Sequence, residues 1–478
     1  MVFAPFMGSI LFGIDKSTLV NTVLVNDLPL VRSLARNAGK NVLWSAALIV
    51  LSALPASQTT NAASLKYELA RLLQDNPLIR AAEKNLQSSI KEIDISRSSF
   101  LPTVSATGEI GPEFVDSPAE RNQSDGQGGK ISSRLKQSAG LTVTQSLFDG
   151  YSNLSTLRTA QLNKEIAAIS LEGTRQNTLF EGVRVYIDVL RQQRLIELSR
   201  ENEETIQRQL NLEDERVLRG SGVAVDVLQA KSRLQTAKEK RVTLEGALQD
   251  AITRYVQVFN SAPDIETMMD PAPPVELIPS TLDRAIEIST SENPAVTNSG
   301  VGVEVAGENR RAAAAGLYPS LDLESSWNVE KDSNTTLGVR RDYSVVLKAS
   351  WDLFSGFSTK NTRTQAAFDY GASKDSYDDT VRKLAEQTKL AWQALLTSRQ
   401  RIELLENAVN IASEVFQARK KLREQGSETV VSVLDAESEV NQAQIDFTTA
   451  AYDERLAVYQ LLLAMGRLDG RRLNLALN

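Results

Sequence analysis

The chain contains one long internal repeat, which constrains its fold more than any other feature. Two proline pairs recur 217 positions apart: Asn76-Pro77 as Asn293-Pro294, and Leu101-Pro102 as Tyr318-Pro319. Three later motifs recur 206 positions apart: residues 147–150 as 353–356, Gly220 as Gly426, and residues 227–230 as 433–436. Such a repeat indicates one supersecondary unit used twice, and the change of offset places a variable loop within it.

Composition excludes several kinds of chemistry. The 478 residues include no cysteine and no histidine. The lack of cysteine excludes disulfides, thiol nucleophiles and a lipid-modified N-terminal cysteine. The lack of both residues excludes most zinc and copper sites, and the lack of histidine excludes a histidine general base. We therefore expect no cofactor. The net charge of -7 gives no basic surface for nucleic acid, and the mean hydropathy of -0.23 is not that of a helical membrane protein.

The N-terminal 63 residues are typical of an extension with an export signal. Arg32, Arg36 and Lys40 precede the apolar run 42–54, and small residues follow at Ala62-Ala63. This order is that of a secretory signal peptide, which predicts a mature chain beginning near Ser64. An N-terminal membrane anchor remains the alternative, although the apolar run is shorter than the roughly 20 residues that a spanning helix needs.

Proline positions divide the remaining chain. None of the 14 prolines lies between 119 and 262 or between 320 and 478, whereas five fall between 263 and 279. We therefore expect a first structural repeat at 64–262, a Pro-rich linker at 263–280, a second repeat at 281–470 and a tail at 471–478. Each repeat is predicted to contain a helix interrupted at Asn-Pro, two strands, a very long helix and a long helix.

Local signals set the first helix of each repeat. Ser64 and Thr281 are suitable N-cap residues, and the Asn-Pro pairs interrupt the helices because proline disfavours helix at the residue before it. We expect helix to resume until about Phe100 and Leu317, where Pro102 and Pro319 then require extended chain.

The strand segments alternate apolar and polar residues. One predicted face of the last strand contains Tyr343, Val345, Leu347, Ala349, Trp351 and Leu353. Strands of about 9–11 residues span a bilayer when tilted, and the loops between them are predicted at 112–130 and 331–341. A soluble amphipathic sheet is the alternative, and the export signal favours the membrane. Four strands cannot close a barrel in lipid, whereas three copies give about twelve strands.

The segments after the strands predict helices at 151–219 and 357–425, each about 100 Å long. The return helices carry apolar residues at heptad spacing, with Arg241 and Glu454 as exceptions. These residues are Leu234, Ala237, Leu244, Leu248, Ala251, Tyr255 and Val258, and then Val440, Ala443, Phe447, Ala450, Ala457, Leu461 and Ala464. The pattern predicts antiparallel coiled-coil hairpins.

Residues 64–470 resemble the TolC-like outer-membrane efflux and type I secretion channels. Four motifs carry the resemblance in both repeats: Asn-Pro in the first helix, Leu-Pro or Tyr-Pro before the strands, Leu-Phe-x-Gly after them, and the glycine turns of the hairpins. The resemblance implies a mainly α chain with a small β part, forming a homotrimer. Its α-barrel of coiled-coil hairpins would cross the periplasm below a 12-stranded β-barrel in outer-membrane lipid. The implied partners are a periplasmic adaptor (membrane fusion protein) and an inner-membrane RND or ABC transporter.

The hairpin turns are the candidate functional site. Gly220 and Gly426 suit the left-handed conformation that ends a helix. Capping and adaptor docking are both open for these turns, and the candidate contact residues are Gly220, Gly222, Val223, Val227, Leu228, Gly426, Val433 and Leu434.

The resemblance also implies a closed periplasmic gate. It places Asp435 in the lumen, where three copies would form a carboxylate ring that favours cations. An exposed aspartate on the helix surface, without a role in selectivity, is the alternative. This chain departs from the family pattern at three positions near the gate. It has Ser432 where the family has a second acidic residue, Glu428 where an arginine is expected, and Arg423 where an aromatic residue is expected. We predict that Arg423 pairs instead with Asp226.

Two other function classes match parts of the sequence. Residues 88–91 and 133–136 match Ser-x-x-Lys, but the companion motifs of acyl-enzymes are missing, so we predict no enzyme. A non-conducting periplasmic scaffold or adaptor built from the same hairpins is the second alternative, and the two amphipathic strand pairs favour the channel.

Overall fold

The computed structural model describes residues 65–115, 132–333 and 336–475. The predictions for the signal peptide, for Ser64 as an N-cap and for most of the first strand–strand loop lie outside these residues. Within them no helix is long and apolar enough to cross a membrane.

The first repeat begins with two short helices, α1 (Leu65–Asp75) and α2 (Pro77–Ser98). Asn76 separates them with an extended backbone, and its side chain accepts a hydrogen bond of 2.8 Å from Leu78 N. Because proline needs no partner for a backbone N–H, Pro77 fits the first position of α2. The Asn-Pro interruption is thus a cap between two helices, as its sequence predicts.

The first repeat continues with β1 (Thr103–Val115), β2 (Ser132–Phe148), α3 (Ser152–Leu218) and α4 (Ala224–Phe259). Its α3 contains 67 residues, which corresponds to about 100 Å. The helix starts and ends within one residue of the predicted positions 151 and 219.

The second repeat has the same order of elements. They are α5 (Leu282–Glu292), α6 (Pro294–Ala313), β3 (Ser320–Ser333), β4 (Thr336–Ser350), α7 (Ser358–Glu424) and α8 (Val430–Ala464). Thr281 caps α5, since its hydroxyl accepts a hydrogen bond from Arg284 N, and Asn293 caps α6 in the manner of Asn76. Short 3-10 helices lie at Val275–Leu277 in the linker and at Ala315–Leu317 before β3.

The four described strands form one antiparallel sheet in the order β1-β2-β3-β4. Two hairpins therefore join edge to edge, with Leu141 of β2 opposite Trp327 of β3. In this sheet β1 and β4 are the edge strands. Mostly helical chain with a small sheet is the fold class that the sequence predicts, and it is confirmed.

Two strand predictions need correction. The strands contain 13, 17, 14 and 15 residues rather than 9–11. Pairing continues into polar segments, as between Ser333 and Thr336, because backbone hydrogen bonds do not require apolar side chains. The predicted loop 331–341 is accordingly mostly strand. In addition, β4 ends at Ser350, so Trp351 and Leu353 lie beyond the strand on which alternation placed them.

Each long helix packs against its return helix, α3 on α4 and α7 on α8. Both charged exceptions to the heptad pattern form ion pairs across their hairpin. Arg241 Nε lies 2.7 Å from a carboxylate oxygen of Glu203, and Glu454 accepts from Arg399 Nε at 3.2 Å. The seam therefore accommodates these charges by pairing them with the facing helix.

Two apolar clusters hold the hairpins together. The larger one lies away from the turns, between the middle of α3 and α7 and the far ends of α4 and α8, and its fully buried members include Tyr186, Tyr255, Leu461 and Met465. The smaller one lies near the turns and joins α3, α4 and α8; its members are Ile206, Leu210, Val227, Ala230, Leu234, Ala237, Val430 and Leu434. We call this second group the tip cluster, and it brings the two hairpin ends of one chain together.

Candidate functional site at the hairpin tips

The two hairpin turns have the same backbone geometry. Gly220 and Gly426 both have φ of +76°, the left-handed region that favours glycine. Each donates to a carbonyl three residues earlier, and the following serines, Ser221 and Ser427, each donate at 2.9 Å to a carbonyl five residues earlier. This Schellman-type ending satisfies the last carbonyls of α3 and α7. The left-handed glycines that the sequence predicts are therefore present in both turns.

Gly222 has a separate steric role. A Cβ atom at this position would lie 2.7 Å from Val217 N, so only glycine allows this close approach of the chain to the end of α3. Its counterpart at the 206 offset is Glu428, whose carboxylate accepts from Thr429 N at 3.1 Å. Hydrogen bonds from Ser432 and from the Thr429 backbone lower the pKa of Glu428.

Arg423 connects the second hairpin to the first. Its Nη2 donates to Glu213 Oε2 at 2.8 Å and to Asp226 Oδ2 at 3.4 Å, and its Nη1 donates to the Glu428 carbonyl at 3.2 Å. The predicted pairing of Arg423 with Asp226 is therefore present in the structure, but Glu213 is the nearer partner. Side-chain exposure is 21% for Arg423 and 3% for Glu213, so the ion pair is largely removed from water.

Glu213 was not predicted as a site residue. Its second oxygen accepts from Arg216 at 2.7 Å, so one buried carboxylate bridges two guanidinium groups. Burial of a carboxylate requires such partners. The sequence does carry a signal for it, because Glu213 interrupts an apolar series at heptad spacing formed by Ile206, Leu210 and Val217.

Asp435 lies on an exposed face of α8 and is paired within the chain. Arg233 Nη2 of α4 donates to Asp435 Oδ1 at 2.5 Å, with side-chain exposures of 46% and 51%. One heptad further along the same helices, Lys240 donates to Gln442 at 3.2 Å. A guanidinium group of the same chain therefore compensates the charge of the Asp435 carboxylate, a pairing that the sequence did not predict.

Ser432 has a local role in this structure. Its backbone N–H donates to Thr429 Oγ1 at 3.2 Å, which makes Thr429 the N-cap of α8. The Ser432 carbonyl accepts from Arg419 Nη1 at 3.2 Å. These contacts hold the start of α8 against the end of α7.

The predicted docking residues divide by burial. Val227, Val433 and Leu434 are buried, since Val227 and Leu434 belong to the tip cluster and Val433 is only 3% exposed. Their apolar side chains therefore pack inside the chain and are not surface contacts. In contrast, Val223 and Leu228 are exposed, as are the neighbouring Leu218 and Val225 and the glycines Gly220 and Gly426.

A further carboxyl is buried near the tip. Glu437 of α8 is 5% exposed, and neither of its oxygens has a hydrogen-bond partner. Burial raises the pKa of Glu437 to about 7, and the positive charges of Arg208 and Lys420 oppose this shift. Among the described residues there is no group of acidic side chains that could hold a metal ion.

The chain belongs to the outer membrane efflux protein family. The sequence model of that family matches residues 69–260 and 285–467, one stretch in each repeat. Membership confirms the predicted resemblance to TolC-like channels and the outer-membrane location. The family and the fold are those of channels, which are not enzymes.

Individual relatives extend along most of the chain. The outer membrane efflux protein BepC of Brucella suis biovar 1 (strain 1330) is 22% identical over 434 residues, covering 91% of this chain and 92% of BepC. The alkaline protease secretion protein AprF of Pseudomonas aeruginosa is 24% identical over 415 residues, covering 86% and 85%. The crystal structure of outer membrane protein VceC from Vibrio cholerae matches with a TM-score of 0.71 at 16% identity, covering 84% of this chain and 96% of VceC.

Proposed function

We propose that this protein is the outer-membrane exit duct of a tripartite efflux pump or type I secretion system. In this proposal three copies form a passive channel, a periplasmic adaptor opens its tip, and an inner-membrane RND or ABC transporter supplies the energy. The observation that carries the proposal is the four-stranded sheet with two open edges, joined to two equivalent hairpins in a chain of this family.

The sheet supports assembly in lipid. Its edge strands β1 and β4 expose large apolar side chains such as Val104, Ile110, Tyr343 and Val345. Unpaired backbone groups are costly in the hydrocarbon region, so each edge needs a strand from another copy. Three copies supply about twelve strands, an even number within the range of outer-membrane barrels.

The helices support the same assembly through the repeat. Inside the chain α8 covers Leu198 of α3, and Asn441 Nδ2 donates to the Leu198 carbonyl at 3.4 Å. At the 206 offset the counterparts are Leu404 of α7, which is 69% exposed, and Gln235 of α4, which is also exposed. In a closed ring of alternating hairpins, α4 of one copy would cover α7 of the next copy. This contact between copies would be equivalent to the contact of α8 with α3 inside one chain.

The exposed side chains of α7 fit this arrangement. Phe368, Leu390, Leu404 and Ile411 are between 63% and 74% exposed. The last three are separated by multiples of seven residues and so lie on one face of the helix. We assign this apolar stripe to contact with a second copy of the chain.

The tip contacts support a closed gate held from within each copy. Arg423 joins α7 to α3 and α4, and it does so through a buried carboxylate rather than through exposed side chains. Opening the tip would separate these groups. Adaptor docking is assigned to the exposed apolar surface of the first turn, Leu218, Val223, Val225 and Leu228.

A matched pair of variants tests the proposal. Leu404→Glu places a charge in the stripe assigned to copy–copy contact, whereas Leu218→Glu places the same charge at the tip. We expect wild type and Leu218→Glu to migrate as heat-modifiable trimers from the outer-membrane fraction, with Leu404→Glu reduced to monomer. Wild-type protein recovered as a soluble periplasmic monomer would overturn the channel and favour the scaffold alternative.

The same strains test the tripartite role. A deletion strain expressing wild-type protein is expected to resist bile salts and dyes or to export protein. Leu218→Glu is expected to lose that function while remaining trimeric. Full function of Leu218→Glu would remove the first turn from the adaptor contact.

A further inference from the structure

Glu437 lies between the two hairpins of one chain. Its side chain on α8 is buried, and the positive charges of Arg208 of α3 and Lys420 of α7 act on it without a hydrogen bond to its carboxyl oxygens. Thus an acidic residue of the second return helix interacts electrostatically with one basic residue of the first hairpin and one of its own hairpin.

The repeat inverts every one of these charges. At the 206 offset, Glu437 corresponds to Lys231 of α4, Arg208 to Glu414 of α7, and Lys420 to Asp214 of α3. An acid with two basic neighbours becomes a base with two acidic neighbours. Lys231 and Glu414 are exposed and Asp214 is half-buried. None of the three has an ion pair within the described part of the chain.

The correspondence of positions is structurally secure. Both turns have glycine at the same φ of +76° and the same two closing hydrogen bonds. The return helices begin at equivalent positions of the repeat, at Ala224 and Val430. Because the turns match, residues at equal distance from them occupy equivalent places on their hairpins.

We propose that Lys231 of one copy faces Glu414 of the next copy, with Asp214 on the same neighbouring hairpin pair, at the charge-inverted counterpart of the Glu437 site. The proposal rests on the proposed ring of alternating hairpins and names the charged contact that orders it. In such a ring the α4 face of one copy meets the α7 face of the next.

The inversion gives the contact a specific role in assembly. If two first hairpins met, Lys231 would face Arg208, and if two second hairpins met, Glu437 would face Glu414. The first wrong arrangement places two positive charges together at a packed interface and the second places two carboxyl groups together, whereas the alternating order places Lys231 opposite an acid. Repulsion in the wrong pairings is an established way to obtain specificity. The charges therefore favour first hairpin next to second hairpin around the ring.

Disulfide trapping tests the contact directly, because the chain has no cysteine of its own. In the double variant Lys231→Cys, Glu414→Cys we expect covalently linked dimers and trimers under mild oxidation, and only monomers for either single variant. The reference pair is Gln235→Cys with Leu404→Cys, which tests the ring itself. Cross-linking of the reference pair alone would overturn the charged contact and leave the ring intact. Failure of both pairs together with a monomeric mass would overturn the ring.

Charge reversal provides the second measurement. Lys231→Glu is expected to lower the fraction of protein recovered as trimer about fivefold or more, which corresponds to about 1 kcal/mol. Adding Glu414→Lys should recover at least half of the loss. Lys84→Glu, an exposed position on α2, makes the same change in net charge and should have no effect. Equal loss in all three variants would show a general charge effect and overturn the proposal.

Discussion

The guanidinium group of Arg423 donates a 2.8 Å hydrogen bond to the carboxylate of Glu213, a residue 210 positions away on the other hairpin. Glu213 is almost fully buried and also accepts from Arg216. The hairpin tips of one chain are therefore joined by a buried, charge-assisted contact between helices of different repeats. Such hydrogen bonds to charged groups are stronger than neutral ones.

Arg423→Met should loosen the tip. Removing the guanidinium group leaves Glu213 with Arg216 as its remaining partner, at a cost of about 1–3 kcal/mol. We expect faster hydrogen exchange in the last turns of α3 and α7 and, for the assembled channel, a larger conductance in planar bilayers. Lys421→Met removes the same charge from an exposed position and serves as the control. Equal behaviour of the two variants would remove Arg423 from the gate.

Glu437 should make stability depend on pH. Its pKa is raised from 4.5 to about 7 in the folded chain, so the stabilising state is the protonated one. That stability is fully present below about pH 4.5 and is lost as pH rises through about 7, by up to a few kcal/mol. We expect Glu437→Gln to raise the Tm relative to wild type at pH 8 but not at pH 5. Glu439→Gln, an exposed change two residues further on, should leave the pH profile of wild type unchanged.

The two glycines of the first turn should differ in tolerance to alanine. Gly220→Ala has open space for its Cβ and pays only for the left-handed backbone, about 1 kcal/mol. Gly222→Ala places Cβ 2.7 Å from Val217 N, so the turn must rearrange. Limited proteolysis around residues 216–224 should therefore be faster in Gly222→Ala than in Gly220→Ala. The reverse order would contradict the close approach at Gly222.

Arg233 and Asp435 should set ion selectivity together in the proposed trimer. Arg233→Gln leaves three uncompensated carboxylates and should shift the reversal potential in planar bilayers toward cation selectivity. Asp435→Ala should raise anion conductance, and the double variant should return toward wild type. Unchanged selectivity in both single variants would place the pair outside the conduction path.

Local sequence predicted much of this fold. The Asn-Pro caps depend on residues adjacent in the chain, since Asn76 accepts from Leu78 and Asn293 from Ala295. The ends of α3 and α7 were also predictable, because left-handed glycines and the lack of proline act locally. Strand ends were predicted less well. Hydrogen-bonded pairing extended β3 and β4 into polar residues, and side-chain alternation carries no information about where such pairing stops.

The candidate site shows where sequence reasoning stops. By itself the sequence determined the repeat, the lengths of the two long helices and the positions of the two turns. It also led us to expect that Arg423 pairs with Asp226. Only the tertiary structure decided that Glu213 is the nearer partner, that Arg233 compensates Asp435 from 202 positions away, and that Val433 and Leu434 are buried. Helices and turns follow from contacts within a few residues of the chain. The pairings between Arg423 and Glu213 and between Arg233 and Asp435 depend instead on how two hairpins pack, because the residues are about 200 positions apart in sequence.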